Sequence, residues 1–596
     1  MQRFRSGLLV LALLPGLLWA LVTGWAGLGE SLWLDELHTA WTIKPLSDPV
    51  AKPASGGDLT TLTARAAAGN QVPTYFYLLR TFDETLCNGD QTLSRPVGDG
   101  SGRSVGSGVL NAEVRLRLPS LVAWLLSIVL LGVVLRRIPD WAPICAATLL
   151  TAVDRISLFY GTEARPYYFV ALINLLGWAA LAAWLRRCND RARATTLVDG
   201  CAQSHESKWL IILGWDWWIW TAAMVVSCRL HPVAILSVAC QCVWGAWCLM
   251  QQSRGTLRAR HLQAWAAACT AAALLLLPIA WSMRSVWEHR SQWNAFASDT
   301  SWMQTISLFA LIPLFCSLVP CILLDLAFGR PNVSLEVDPL ADRCVCDTSR
   351  IDGRIWMIAC FGPWILAWLL TTAGIAPLMH RRYLITCLLP LSVLVGLGVA
   401  KIGRRSLRRV ALAVVIVVIV VYQGSWQPWR RGELIGLQRG ENWRDAVAYV
   451  SEQLRRVEPR TTSQSPAHVW CAAGLIEAND AEWPPTESLA EYLTFPLRGT
   501  YVVTDTETVD TIGANRVKLR PLLNRTEAWR EEWNAASAAG VDEGWIIYRG
   551  SERGLRARFK EASEVAKNQL QRELMDVRSF GRVTVAKWRR SAASER

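Results

Sequence analysis

The sequence predicts a polytopic α-helical membrane protein of about eleven transmembrane helices, followed by a small C-terminal α/β soluble domain. Three observations predict it. Apolar residues make up 52% of the 596 positions and gather into stretches that approach or pass the roughly 18 residues needed to cross a bilayer. Tryptophan occurs 32 times, and indole rings favour the membrane–water interface. Beyond residue 423 the chain turns polar, and its apolar residues recur with the periods of short strands and amphipathic helices.

The first span is expected at 7–29. Arg3 and Arg5 precede the apolar run from Gly7 to Ala20, as in a signal peptide. The run continues to about Gly29 without a small-x-small cleavage site, so it reads as an uncleaved helix. Further spans are expected at 117–135, 141–159, 166–185, 209–228, 232–250, 263–281, 304–327, 355–375, 384–400 and 410–423. The last is short and β-branched, with about 14 Val, Ile and Ala residues that cross with help from its flanks. Residues 30–116 form a long loop, with a short interfacial or buried helix near 72–82. Its stretch from Asn88 to Gly108, rich in Gly, Ser and Asp, has the composition of a mobile segment.

With the N-terminus inside, the charges sort as the positive-inside rule requires. The inner loops hold Arg136 and Arg137, then Arg186, Arg187, Arg191 and Arg193, then Arg254, Arg258 and Arg260. Lys401, Arg404, Arg405, Arg408 and Arg409 follow. The membrane thus accounts for much of the net charge of +13, and no aromatic RNA-binding signature points to a nucleic-acid partner.

The soluble part, 424–596, is expected to carry an amphipathic helix from Trp443 to Leu454 and short buried strands at Tyr501–Val503 and Trp545–Tyr548. A helix from Leu555 to Leu574 and a last strand at Val583–Val585 complete it. Most of the 16 cysteines lie in apolar segments, where they act as small hydrophobes. Cys87 and Cys471 share the outer compartment, but a bridge between them is not expected. Cys344 and Cys346 are too close together in sequence, and lack the second pair, for a zinc site.

The same topology brings polar clusters to the outer face. Asp35 and Glu36 stand just beyond the first span, behind Trp33. One carboxylate there can accept a proton from a nucleophile and the second can orient the acceptor or a metal; the plainer reading is an exposed pair at a helix start. Glu163-Ala164-Arg165-Pro166-Tyr167-Tyr168 lies after the third span. Pro166 suits the first turn of a helix, which leaves Arg165 at its mouth, able to grip a phosphate or merely to pair with Glu163. His380-Arg381-Arg382-Tyr383 puts two arginines where outer loops are otherwise poor in charge, either for a lipid-borne phosphate or for headgroup snorkelling. His231, in Arg229-Leu230-His231-Pro232, is a candidate metal ligand or hydrogen-bond donor, with a satisfied interfacial histidine slightly favoured. Tyr75, in the run Tyr75-Phe76-Tyr77, opens the helix near 72–82. Asp216, inside a predicted span, either carries function or is paired. Asn332-Val333-Ser334 and Asn524-Arg525-Thr526 match the glycosylation sequon without further support.

Together these pieces resemble the GT-C glycosyltransferases, most closely the bacterial branch related to protein mannosyltransferases and the aminoarabinose transferase of lipid A. The matching pieces are Trp33-Leu34-Asp35-Glu36, Glu163 to Tyr167 and His380 to Tyr383. Arg115 to Ser120 is similar to the branch's R-L-P-S helix entry, and Asn70 to Leu79 to a degraded H-P-P-x-Y-Y element. The family's histidine is absent from that element, which reads Gln71-Val72-Pro73-Thr74. The resemblance spans about residues 5–400. It implies a polyprenyl-phosphate-linked sugar donor and a lipid, glycan or protein acceptor. Asp35 would then be the catalytic base with Glu36 assisting, and Arg165, Arg381 and Arg382 would hold the donor phosphate. Glu163, Tyr167, His231, Tyr75, His380 and Tyr383 would line the site. No cofactor is certain; a divalent metal is left open. The implied location is the bacterial inner membrane, with the site and C-terminal domain extracytoplasmic. A secondary transporter and a non-catalytic envelope scaffold are the rival readings; against the first stand the lack of an inverted repeat and of paired broken helices.

Overall fold

The computed structural model describes residues 2–43, 57–68, 71–90, 112–138, 140–197, 214–251, 256–288, 297, 300–301, 306–309, 311–328, 353–436, 439–457, 467–474, 493–497, 501, 503, 517–523, 525–565 and 572–590. They form two compact units, one from Met1–Gly27 with Arg117–Gly436, the other from Leu28–Leu116 with Leu437–Arg596. The second unit thus groups the residues of the long first loop with those of the C-terminal segment.

In chain order, α1 (Gln2–Leu28) leads to α2 (Leu34–Ile43), α3 (Gly57–Ala68) and α4 (Thr74–Asp90) of the second unit. Then come α5 (Ala112–Leu135), α6 (Trp141–Val153), α7 (Arg155–Gly161), α8 (Tyr167–Leu197), α9 (Trp215–Leu230), α10 (Ile235–Met250) and α11 (Thr256–Glu288). The helical series ends with α12 (Leu311–Phe328), α13 (Gly353–Thr372), α14 (Leu388–Lys401), α15 (Arg405–Tyr422) and the short α16 (Trp426–Arg430).

A helix stands at every expected span, though fewer have the length and hydropathy of a full crossing. Among the described residues, six helices are long and apolar enough to cross a membrane, or seven if the α6–α7 pair, bent by 62°, is one span. The bend has a local cause. Asp154 ends α6 through its own N–H to the Leu150 carbonyl, and its carboxylate accepts the Ser157 N–H at 2.7 Å to cap α7. The remaining helices are short; α9 has 16 residues, roughly 24 Å of rise against a hydrocarbon core of about 30 Å.

In the first unit α8 packs on α9, and α6 on α14 and α15. Close approach fixes the α6–α14 contact: a Cβ at Gly396 would meet the Pro143 carbonyl oxygen at 2.8 Å. A polar ladder joins the helices beside the later loops. Asn174 donates to the Thr386 carbonyl (3.0 Å), Gln241 donates to Asn174 (3.2 Å), and Trp220 donates to Gln241 (2.9 Å). Each partner satisfies a group that lipid cannot. Asp216 lies in the first turn of α9 and meets Arg187 of α8.

The second unit contains a five-stranded sheet in the order β2-β1-β3-β5-β4. Its elements are α17 (Trp443–Val457), β1 (Ala467–Ala472), β2 (Val517–Pro521), α18 (Thr526–Ala538), β3 (Glu543–Arg549), α19 (Glu552–Val565), β4 (Arg572–Phe580) and β5 (Val583–Arg590). β1 runs parallel to β2 and β3, while β5 is antiparallel to both β3 and β4. Three expectations change. Tyr501 and Val503 lie outside the strands. The helix expected to reach Leu574 stops at Val565, and Arg572–Leu574 begin β4. β1, not expected from the sequence, is an inner strand buried along nearly its whole length, so it lacks the alternation that marks a half-exposed strand.

Tryptophan use also changes meaning. Trp124, Trp178, Trp184, Trp220 and Trp356 are fully buried among helices, and Trp443, Trp470, Trp529 and Trp588 are fully buried in the second unit. Trp533 packs its ring against Trp470 (5.5 Å), Trp529 (5.9 Å) and Trp588 (5.3 Å), with the Arg572 guanidinium 5.1 Å above it. These rings are core, not interface. Cys471 in β1 is a free thiol, and burial pushes its pKa up. Cys344, Cys346, Asn70, Asn524, the 332–334 sequon, residues 91–108 and the Cys87 side chain lie outside the described residues or groups.

Trp533→Ala should destabilise the second unit by about 3–5 kcal/mol, the range for emptying a large aromatic site. Thermal unfolding of the full chain in detergent measures this; an unchanged melting profile would contradict the packing.

Candidate functional site

The predicted site residues divide between the two units. Glu163, Arg165, Tyr167, His231, His380, Arg381, Arg382 and Tyr383 lie in the first; Asp35, Glu36 and Tyr75 lie in the second.

In the first unit three loops meet through a chain of rings. α7 ends at Gly161, which only glycine can occupy as placed: a Cβ there would lie 2.8 Å from the Trp124 indole. The Arg165 N–H to Glu163 carbonyl bond (2.8 Å) makes the tight turn that follows. The Val170 N–H to Pro166 carbonyl bond (2.9 Å) then starts α8, as a proline in the first turn allows. Glu163, Arg165 and Tyr167 are buried at this junction. The Tyr167 ring lies 5.2 Å from Tyr160 and 5.4 Å from His231. His231 lies 6.2 Å from Tyr383, which in turn lies 5.9 Å from His380. The Arg382 guanidinium sits 5.1 Å over the Tyr383 ring and donates to its hydroxyl at 3.4 Å. The Arg382 N–H reaches His380 Nδ1 at 3.3 Å. Arg381 is exposed and donates to the Ser307 carbonyl at 3.5 Å.

His231 is the centre of this group. Its Nδ1 accepts the Val233 N–H at 3.4 Å, so a neutral ring carries its proton on Nε2. Its pKa is pushed down to about 3, first by burial, then by the charges of Arg382 and Arg165. That effect places both arginines within electrostatic reach of one imidazole. A second cation beside them would be opposed by the same charges, so the surroundings suit an anion and suit a metal poorly. Among the described residues no group of three or more His, Cys, Asp or Glu side chains is placed to hold a metal ion.

In the second unit α2 carries Asp35 and Glu36 in its first turn. Asp35 is half-buried, Glu36 fully buried. Glu36 Oε2 accepts the Trp33 N–H at 3.3 Å, which is the reach of a third helical residue back to the N-cap. The same oxygen lies 3.4 Å from Arg439 Nε, whose guanidinium also pairs with Glu30 at 3.2 Å. The described partners of Glu36 are a backbone N–H and an arginine. A fully buried carboxylate whose charge is met by a buried arginine costs about 3–5 kcal/mol to unpair. Sequence adjacency had made the two acids look alike; neighbours distant in sequence separate them. Tyr75 is buried in α4, with its ring 5.7 Å from Phe76. Phe76 lies 6.1 Å from His38, three residues along α2 from Asp35. Arg439 and Glu441 were missed because an isolated Arg-Gly-Glu carries no motif.

No protein-family model and no curated protein matches the chain. Among solved structures the chain is similar to ArnT from Cupriavidus metallidurans bound to undecaprenyl phosphate. The identity is 12% and the TM-score 0.44, over 98% of both chains. The apo state of the same protein gives 12% and 0.45 over the same coverage. The archaeal oligosaccharyltransferase AglB from Archaeoglobus fulgidus, in complex with an inhibitory peptide and a dolichol-phosphate, is 11% identical with a TM-score of 0.41. That match covers 92% of this chain and 69% of AglB. Likeness at this level bears on neither activity nor ligand.

A depressed histidine pKa stabilises the fold fully above the unfolded value of 6.5, and the contribution is lost as pH falls towards about 3. His231→Gln should therefore lose less thermal stability than the wild type between pH 7 and pH 4.5. Equal losses in detergent melts would show that His231 does not titrate as placed.

Proposed function

We propose that the chain is a GT-C-like integral-membrane glycosyltransferase. It would move a sugar from a polyprenyl-phosphate donor to an acceptor on the extracytoplasmic face of the bacterial inner membrane. The single observation that carries this reading is the pair Arg165 and Arg382, both acting on buried His231 among Tyr160, Tyr167 and Tyr383. A buried and a half-buried cation at a loop junction, between helices able to span a membrane, suit the phosphate of a membrane-borne lipid.

The chemistry follows from charge. When the glycosidic bond breaks, negative charge gathers on the departing lipid phosphate. Guanidinium groups already oriented in a partly dry site stabilise that charge without reorganising. Arg165 and Arg382 fill this role, with the exposed Arg381 at its edge. Glu163, Tyr167, His231, His380 and Tyr383 line it, His231 as a neutral Nε2–H donor. Asp35 accepts the proton of the acceptor hydroxyl or amine as the new bond forms. Sugar leaves one oxygen for another nucleophile and no redox partner is needed.

Membranes containing the chain should turn over at least one of a panel of polyprenyl-phosphate hexoses and pentoses. Asp35→Asn and Arg382→Ala should each lower that turnover about 100-fold or more, the usual scale for a lost general base or charge-stabilising group, while melting near the wild type. Unchanged turnover in both variants would overturn these assignments, and no turnover of any donor would overturn the transferase reading itself.

A further inference from the structure

Residues 29–36, which lead into α2, are held by side chains from far along the chain in the same unit. Glu441 Oε2 accepts the Leu34 N–H at 3.1 Å and the Trp443 Nε1–H at 2.9 Å, while its Oε1 accepts Arg549 Nε–H at 2.7 Å. Leu34 is the first residue of α2, so its N–H is one of the donors a helix leaves unmet. Trp33, at the N-cap position, has no side-chain acceptor to offer; Glu441 supplies it. The Leu32 N–H goes to the Tyr501 hydroxyl at 2.8 Å, and that hydroxyl donates to Glu113 at 3.0 Å. The Arg444 N–H goes to Ser31 Oγ at 3.2 Å, and its guanidinium reaches the Gly29 carbonyl at 3.0 Å and Glu113 at 3.2 Å. Arg439 completes the set through Glu30 and Glu36.

The holding segment is itself fixed to the sheet. Glu441 forms an antiparallel bridge with Gly581, in the β4–β5 turn. The Arg582 N–H bonds the Gly440 carbonyl at 2.6 Å and the Asn442 N–H the Phe580 carbonyl at 3.3 Å. Gly440 takes φ +69° and Gly581 φ +65°, which L side chains rarely adopt. The path is short and continuous: sheet turn, Arg439–Glu441, α2, Asp35.

We infer that Arg439 and Glu441 are positioning residues that set the orientation of α2, and with it the Asp35 carboxylate, for the transfer proposed above. The inference rests on that reading for the role of Asp35. Arg439 acts by meeting the charge of Glu36, one residue from Asp35, and Glu441 by capping the helix both occupy. Neither needs to touch substrate. The C-terminal residues thus serve as the anchor of the first loop's reacting group.

The test uses the full chain in detergent, with two readouts: hydrogen exchange in peptides covering 29–43, and turnover of polyprenyl-phosphate mannose and of a polyprenyl-phosphate pentose. Glu441→Ala should speed exchange at the start of α2 at least 10-fold and lower kcat at least 10-fold with donor KM unchanged. Glu441→Gln, which keeps an oxygen for Leu34, should stay near the wild type in both. Arg439→Ala should lower kcat similarly, and adding Glu36→Gln should recover most of it by removing the unmet charge. Unchanged exchange or unchanged kcat in Glu441→Ala would overturn the inference. So would an equal loss in Glu441→Gln, or failure of Glu36→Gln to rescue Arg439→Ala. A wild type that turns over neither donor, combined with faster exchange in Glu441→Ala, would uphold the clamp on α2 and overturn its role in transfer.

Discussion

A carboxylate fully out of water must have its charge met close by, and in the second unit Glu36 has it met by Arg439. That single requirement explains why residues 28–116 fold with residues beyond 437. Glu30, Glu113 and Glu441 extend the same logic, each paired with an arginine or capped by backbone and ring N–H groups. The acids come mostly from the first loop and the arginines from the later segment, so neither segment satisfies its buried charges alone.

In the first unit the constraint is the bilayer, which offers no partner to a polar group. Asn174, Gln241 and Trp220 therefore satisfy one another and the Thr386 carbonyl. The loop that carries His380 to Tyr383 runs into that turn, so satisfying the backbone also fixes the cations. The ring chain from Tyr160 to His380 then spaces Arg165 and Arg382 around a histidine kept neutral by burial and by their charge.

Much of the architecture was legible because hydropathy and period act locally. Each expected span contains a helix, and Trp443–Leu454 is helical as its periodicity indicates. Length was harder to read: α9 and α14 are apolar but short, and no composition rule says where Asp154 bends a span. β1 and β4 were not legible because a doubly buried strand has no alternation, and a polar edge strand reads like a helix end. The polar clusters around Arg165, His231 and Arg382 were found from sequence, since charge stands out beside apolar spans.

What the sequence determined by itself was where helices form and which loops carry unusual charge, because both follow from neighbours along the chain. Only the tertiary structure could separate Asp35 from Glu36. Adjacent carboxylates are chemically equivalent until burial and a partner more than four hundred residues away distinguish them, and that depends on packing in space.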